Sequence, residues 1–212
     1  MTALAVTGSP LWYASRASGT LAVLLLTTTV VLGIASGNRS VPRRMGRFEI
    51  GLLHRNLALL TSAFLAVHVV TAVFDPFTSL GWTVAVVPFV AFYRPLWLGL
   101  GAAGLDLLLA VLITSVLRQH LGARRWKAVH WFTYAVWPLA LFHGVGSGTD
   151  IQLPLQLWLY AGCLGTVVGA VWWRLVRAGP GRVSVRIVAA VVTTAVPVVL
   201  TMLLATGPLQ FR

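Results

Sequence analysis

Two pairs of histidines lie in apolar surroundings: His54 and His68, fourteen residues apart, and His130 and His143, thirteen apart. An ionisable side chain inside a membrane-spanning segment is costly to keep there and marks function by default. Two neutral imidazoles, one on either side of a metal, are what axial ligation of a haem iron requires. Zinc would want four donors in a tetrahedral array, and each histidine level offers two. A copper site would be expected to carry a thiolate or a methionine nearby, but Cys163, the only cysteine, and the three methionines lie in other segments. Haem brings its own four equatorial nitrogens, so two histidines complete a closed, six-coordinate iron suited to electron transfer. Interhelical hydrogen bonding is the ordinary role of a single transmembrane histidine; four at two matched depths argue against that role for the set.

Composition indicates which elements must position these residues. The chain has 212 residues, 58% hydrophobic and 9% charged, roughly ten points above the apolar share of a soluble domain. An all-α integral membrane protein follows. Six apolar runs, at about 12–36, 51–74, 96–118, 128–147, 153–176 and 184–206, are long enough to span, since a crossing needs about 20 residues. The gap after the first run carries Arg39, Arg43, Arg44 and Arg47, the gap after the third Arg118, Arg124, Arg125 and Lys127, and the gap after the fifth Arg177 and Arg182. By the positive-inside rule these gaps are cytoplasmic, which predicts a six-helix bundle with both termini outside. The formal net charge of +12 therefore reports topology rather than nucleic-acid binding, which needs basic residues on a solvated face.

Two segments could upset this count. The stretch 79–92 is apolar but only about 14 residues long and contains Pro88; it is read as an outer interfacial or re-entrant segment. The first run has a faint likeness to a signal-peptide core, but its arginines follow it rather than precede it, so it is read as a retained helix. A single cysteine excludes a disulfide framework and an iron–sulfur cluster.

In this topology His54 and His130 share the inner level, and His68 and His143 the outer, separated by about 21 Å and 19.5 Å of helix rise. Fourteen residues return an ideal helix to within about 40° of its starting face, whereas thirteen leave a difference of about 140°. Pro138 lies between His130 and His143, and a kink there is expected to re-aim His143. His120, in a basic gap, is expected to be solvated.

The paired histidines, the His143-Gly144 end, the basic loop with Trp126 ahead of His130, and the Ser15-Arg16-Ala17-Ser18 start of the first helix resemble the ferric reductase-like transmembrane domain. The resemblance covers about residues 10–177. That family includes NADPH oxidases, ferric reductases and the haem-bearing membrane subunit of bacterial methionine sulfoxide reductase systems. The resemblance implies two b-type haems, an inner one on His54 and His130 and an outer one on His68 and His143, carrying electrons across what is expected to be a bacterial plasma membrane.

Relatives of the oxidase and ferric reductase type continue into a cytoplasmic FAD and NADPH domain. Gly99, Gly101 and Gly104 spell the dinucleotide fingerprint, but in an apolar span with no strand before it, so no flavin or NAD site is expected here. Electrons are expected from a separate flavoprotein reductase or from quinol, passing to an extracytoplasmic acceptor. Oxygen-reducing members share a further histidine one turn beyond the outer ligand; here that position is Ala72, which argues against superoxide production.

Haem propionates want bidentate cationic partners. Arg16 is the expected outer partner, with an ion pair to Asp106 as its alternative; Arg125, together with Arg47, Arg55 and Arg124, is the inner candidate. Phe64, Trp131, Phe132, Trp137 and Phe142 could pack on the macrocycles or simply between helices. The glycines of the third run, with Gly165 and Gly169, are expected at close helix contacts. The competing function is a non-redox membrane transporter or scaffold whose histidines relay protons or pack helices.

Overall fold

Membrane-length helices are what this sequence must make, because backbone groups in hydrocarbon have to be satisfied within the segment itself. The computed structural model describes residues 8–36, 47–76, 80–147 and 153–177, with scattered positions from 183 to 202. The described residues form helices α1 Pro10–Ser36, α2 Arg47–Phe74, α3 Trp82–Val86, α4 Pro95–Val116, α5 Arg118–His130, α6 Thr133–Ser147 and α7 Pro154–Arg177, and no strand. Four of them, α1, α2, α4 and α7, are long and apolar enough to cross a membrane. The predicted sixth run, 184–206, lies largely outside the described residues; those described within it, such as Ile187 and Val198, are helical.

Hydroxyl residues do not break these helices, because they bond back to their own backbone. Ser18 Oγ donates to Ala14 O at 2.6 Å, Thr114 Oγ1 to Ala110 O and Thr166 Oγ1 to Gly162 O, both at 2.7 Å. Helix α4 starts sharply with Pro95 in its first turn, where a missing N–H costs nothing.

The chain divides into two compact units. The first comprises the residues up to Leu25 and Leu59–Ser147; the second comprises Leu26–Ala58 and the chain from Gly148 onward. In the first unit the start of α1 packs antiparallel to the end of α2, where Ser9 Oγ donates to the buried Asp75 carboxylate at 2.6 Å. There too α4 packs along α6, with Gly104 against Leu139. The second unit holds the end of α1, the start of α2, and α7.

Three sequence expectations are corrected. The run 128–147 is not one helix: α5 ends at His130, a turn occupies Trp131 and Phe132, and α6 begins at Thr133. The bonds there are tightened, with Phe132 N on Val129 O, Tyr134 N on Trp131 O and Ala135 N on Phe132 O, all three residues back. The winding change therefore sits ahead of Pro138, which lies inside α6. Each residue wound at about 120° instead of 100° adds about 20°, so these three bonds remove roughly 60° of the 140° mismatch between His130 and His143.

The basic gap of residues 118–127 is helical rather than a loop, broken at Gly122, whose φ of 75° is left-handed. His120 is exposed there, as expected of a solvated residue. Of the segment 79–92, the described residues 80–92 contain the five-residue α3 and then irregular chain, far too short to cross. Trp82 of α3 meets Phe74 of α2 edge-on at 5.9 Å, and the left-handed Phe89 (φ 67°) lays its ring against Gly99. Gly165 and Gly169 of α7 have no neighbour within 4 Å among the described residues, against the expectation of close contact.

Candidate functional site

His68 of α2 and His143 of α6 come together in the first unit, with ring centroids 6.1 Å apart and planes at 76°. Each ring is held the same way. His68 Nδ1 donates to the carbonyl oxygen of Ser15 at 2.8 Å, and the ring lies against Gly19, one turn further along α1. His143 Nδ1 donates to the carbonyl oxygen of Trp97 at 2.9 Å, and the ring lies against Gly101, one turn further along α4. A Cβ at Gly19 would fall 2.8 Å from His68 Nδ1, and one at Gly101 2.5 Å from His143 Nδ1. Glycine is what allows an imidazole to reach a helical carbonyl that is already in an α-helical ladder.

His54 repeats the arrangement within the second unit. Its Nδ1 donates to the carbonyl oxygen of Thr29 at 3.0 Å, and Gly33, four residues on, lies beside the ring. Ser15 and Gly19 are each fourteen residues before Thr29 and Gly33, the spacing that separates His54 from His68.

A carbonyl oxygen only accepts, so the proton in each of these three bonds resides on Nδ1. The nitrogen left with its lone pair is Nε2. This is the tautomer a metal-binding imidazole needs, with the second nitrogen bonded to backbone. A metal bound at this pair would be held by His68 and His143 through Nε2, the rings standing 6.1 Å apart. Among the described residues no group of three or more His, Cys, Asp or Glu side chains could hold a metal ion by itself. Two imidazoles thus fit a metal that brings its remaining donors with it.

Cationic side chains gather close to this pair. Arg16 follows Ser15 in α1 and places its guanidinium 4.4 Å from the Trp12 ring centroid. Arg94, at the entrance to α4 and left-handed at φ 46°, donates from Nη1 to Gly146 O at 2.7 Å and lies 5.1 Å from the Tyr93 ring centroid. Burial lowers the Arg94 pKa from its ordinary value; Tyr93 opposes this and the positive Arg16 adds to it. Both guanidiniums therefore act on the same region.

His130 is positioned differently. It stacks on Trp126, with centroids 5.0 Å apart and planes at 28°. Arg125 is exposed on α5, and the ring contact His130 makes on that helix is with Trp126. Of the aromatic candidates, Trp137 is buried in α6 while Trp131 and Phe132 are exposed in the turn before it.

The four histidines, Arg16 and Arg125 were the residues singled out by type and spacing. Gly19, Gly33, Gly101, Arg94 and Trp126 as site residues were not. Trp126 is marked in the sequence by its place ahead of His130 and Gly101 by the glycine run of α4, while the fourteen-residue spacing of Gly19 and Gly33 acquires meaning once α1 is known to lie against α2.

Comparison with curated proteins and with solved structures yields no match. A family model does match: the ferric reductase like transmembrane component, over residues 18–141. That range contains His54, His68 and His130 and stops two residues before His143. It covers more than half of the 212-residue chain. The chain is a member of the ferric reductase-like transmembrane family, a haem-binding family whose members carry electrons across membranes.

Proposed function

We propose that this chain is a transmembrane electron-transfer component holding two haems of b type, an outer one on His68 and His143 and an inner one on His54 and His130. The observation that carries the reading is the His68–His143 pair. Two imidazoles lie 6.1 Å apart, each with Nδ1 committed to a backbone carbonyl. When bound, haem supplies a one-electron couple at each level. The chain's own residues hold the imidazoles of His54, His68 and His143 each in one tautomer.

Arg16 is read as a partner of the outer propionates, and Arg94, held beside it, as a second. Arg125 is read as an inner propionate partner, reached from the exposed face of α5. Guanidinium suits this role through its two-point geometry toward carboxylates.

The reading includes six crossings with both termini outside. The four membrane-length helices support it, and the end of α5 with α6 would supply another crossing through the turn at Trp131 and Phe132. The basic residues Arg118, Arg124, Arg125 and Lys127 mark the cytoplasmic side. Electrons enter from a cytoplasmic flavoprotein reductase or quinol and leave to an extracytoplasmic acceptor, across a bacterial plasma membrane.

The test is a reduced-minus-oxidised spectrum of the purified chain with a pyridine haemochrome assay. A b-type spectrum with about two haems per chain is the expected result. Folded protein that takes up no haem would overturn the reading and leave proton relay or helix packing as the role of the histidines.

A further inference from the structure

Three of the four histidines are held by a carbonyl and by a glycine one turn beyond it: Ser15 and Gly19, Thr29 and Gly33, Trp97 and Gly101. On α4, the position fourteen residues after Gly101 is Ser115. Here the helix offers a hydroxyl instead of an open cleft. Ser115 Oγ donates to Val111 O at 2.6 Å and accepts from Trp126 Nε1 at 3.3 Å. The Trp126 ring in turn stacks on His130, and the Arg118 guanidinium lies 4.3 Å from the centroid of that same indole.

The chain makes this column possible at Gly122. Its left-handed φ of 75° interrupts α5 between Arg118 and Trp126, a conformation that glycine adopts without steric cost. Arg118 can then lie over an indole eight residues further on. Trp126 and His130 are four residues apart on the helical stretch beyond the break, where side chains meet face to face. Thr133 Oγ1 donates to His130 O at 2.7 Å and steadies the backbone at the end of α5.

We propose that Trp126 is the positioning residue of His130, setting the plane of its imidazole by stacking. Arg118 and Ser115 hold the indole, one by cation–π contact and one by hydrogen bond. The inner centre is then the one whose axial ligand answers to the basic, exposed helix α5. The plane of an axial imidazole governs its overlap with the metal, so changing the stack changes the inner centre alone. This inference rests on the haem reading of the preceding section.

The experiment uses the full chain, purified with haem quantified, and low-temperature electron paramagnetic resonance of the oxidised protein. The inner signal is the one lost in His54→Ala. Trp126→Ala should shift the inner low-spin signal and change the reduced-to-oxidised ratio of the inner haem several-fold at a fixed ambient potential. The outer signal should stay in place, and Trp126→Phe, which keeps a ring to stack on, should restore the wild-type inner signal. A Trp126→Ala protein with both haems and an unshifted inner signal overturns the proposal. So does a Trp126→Phe protein disturbed as much as Trp126→Ala, since the ring plane would not then be what matters. If Trp126→Ala does not fold, Arg118→Gln serves instead: a smaller shift confined to the inner signal supports the proposal, and none refutes it. Haem content of the wild-type protein tests the preceding reading, whereas the variants, measured with both haems present, test this one.

Discussion

His143 reaches the carbonyl oxygen of Trp97 at 2.9 Å across a space that exists because Gly101 carries no side chain. The bond contributes about 1 kcal/mol net, and leaving such a group unmade in an apolar setting costs about 1–3 kcal/mol. The glycine therefore matters through what it lets its neighbour do.

A graded alanine series follows from the three cradles. Alanine at Gly101 or Gly19 should displace the adjacent ring and cost about 1–3 kcal/mol by overpacking, with loss of the outer haem's absorbance. At Gly33 the added methyl would meet His54 Cε1 at 3.4 Å, an ordinary contact, and the helix-propensity gain of up to about 1 kcal/mol should leave Gly33→Ala near neutral or stabilised. Thermal unfolding in detergent with haem quantified reads both effects; a Gly33→Ala variant as damaged as Gly101→Ala would contradict the account.

The ligand pairing makes its own prediction. His68→Ala and His143→Ala should lose the same spectral component, and His54→Ala and His130→Ala the other. Redox-titrated spectra of the four variants decide the matter; a shared loss in His54→Ala and His143→Ala would break the pairing.

At Arg94 two effects oppose each other. Its bond to Gly146 O is charge-assisted and worth about 1.5–3 kcal/mol, while its left-handed backbone costs about 1–2 kcal/mol. Arg94→Ala loses the first and keeps the second, whereas Arg94→Gly loses the first and relieves the second. Arg94→Gly should thus unfold at a higher temperature than Arg94→Ala, both below wild type, as followed by circular dichroism.

Gly122 isolates a backbone effect, since nothing lies within 4 Å of a Cβ built there. Gly122→Ala should cost about 1–3 kcal/mol from its backbone alone, and Gly122→Asn as much, since a ψ of 159° lies outside the left-handed helical well that asparagine tolerates. Equal stability of alanine and glycine at this position, measured by thermal unfolding, would show that the turn is not held as described.

The long helices and the meeting of His68 with His143 were legible because their signals are local: apolar length for α1, α2, α4 and α7, and residue type with spacing for the histidines. The roles of Gly19 and Gly101 depend on which helix lies opposite, and no single run of sequence contains that information. The turn at Trp131 and Phe132 carries neither glycine nor proline and is made by three-residue-back bonds in an apolar stretch, so Pro138 drew the prediction to the wrong place. Arg94 was equally hidden, because left-handed arginine is rare and is held here by a carbonyl from a distant helix.

The entrance to α4 grips α6 at both ends of one helical turn. Arg94 holds Gly146 O, the Trp97 ring packs on Gly146, and Trp97 O holds His143. A ligand gripped in this way has one resting place whatever the charge beside it. If a metal there gains or loses an electron, little nuclear movement has to accompany the event, and a preorganised polar setting has no reorganisation to supply at that moment. Stiffness at the turn Arg94–Trp97 is thereby a kinetic property of the centre as well as a source of stability.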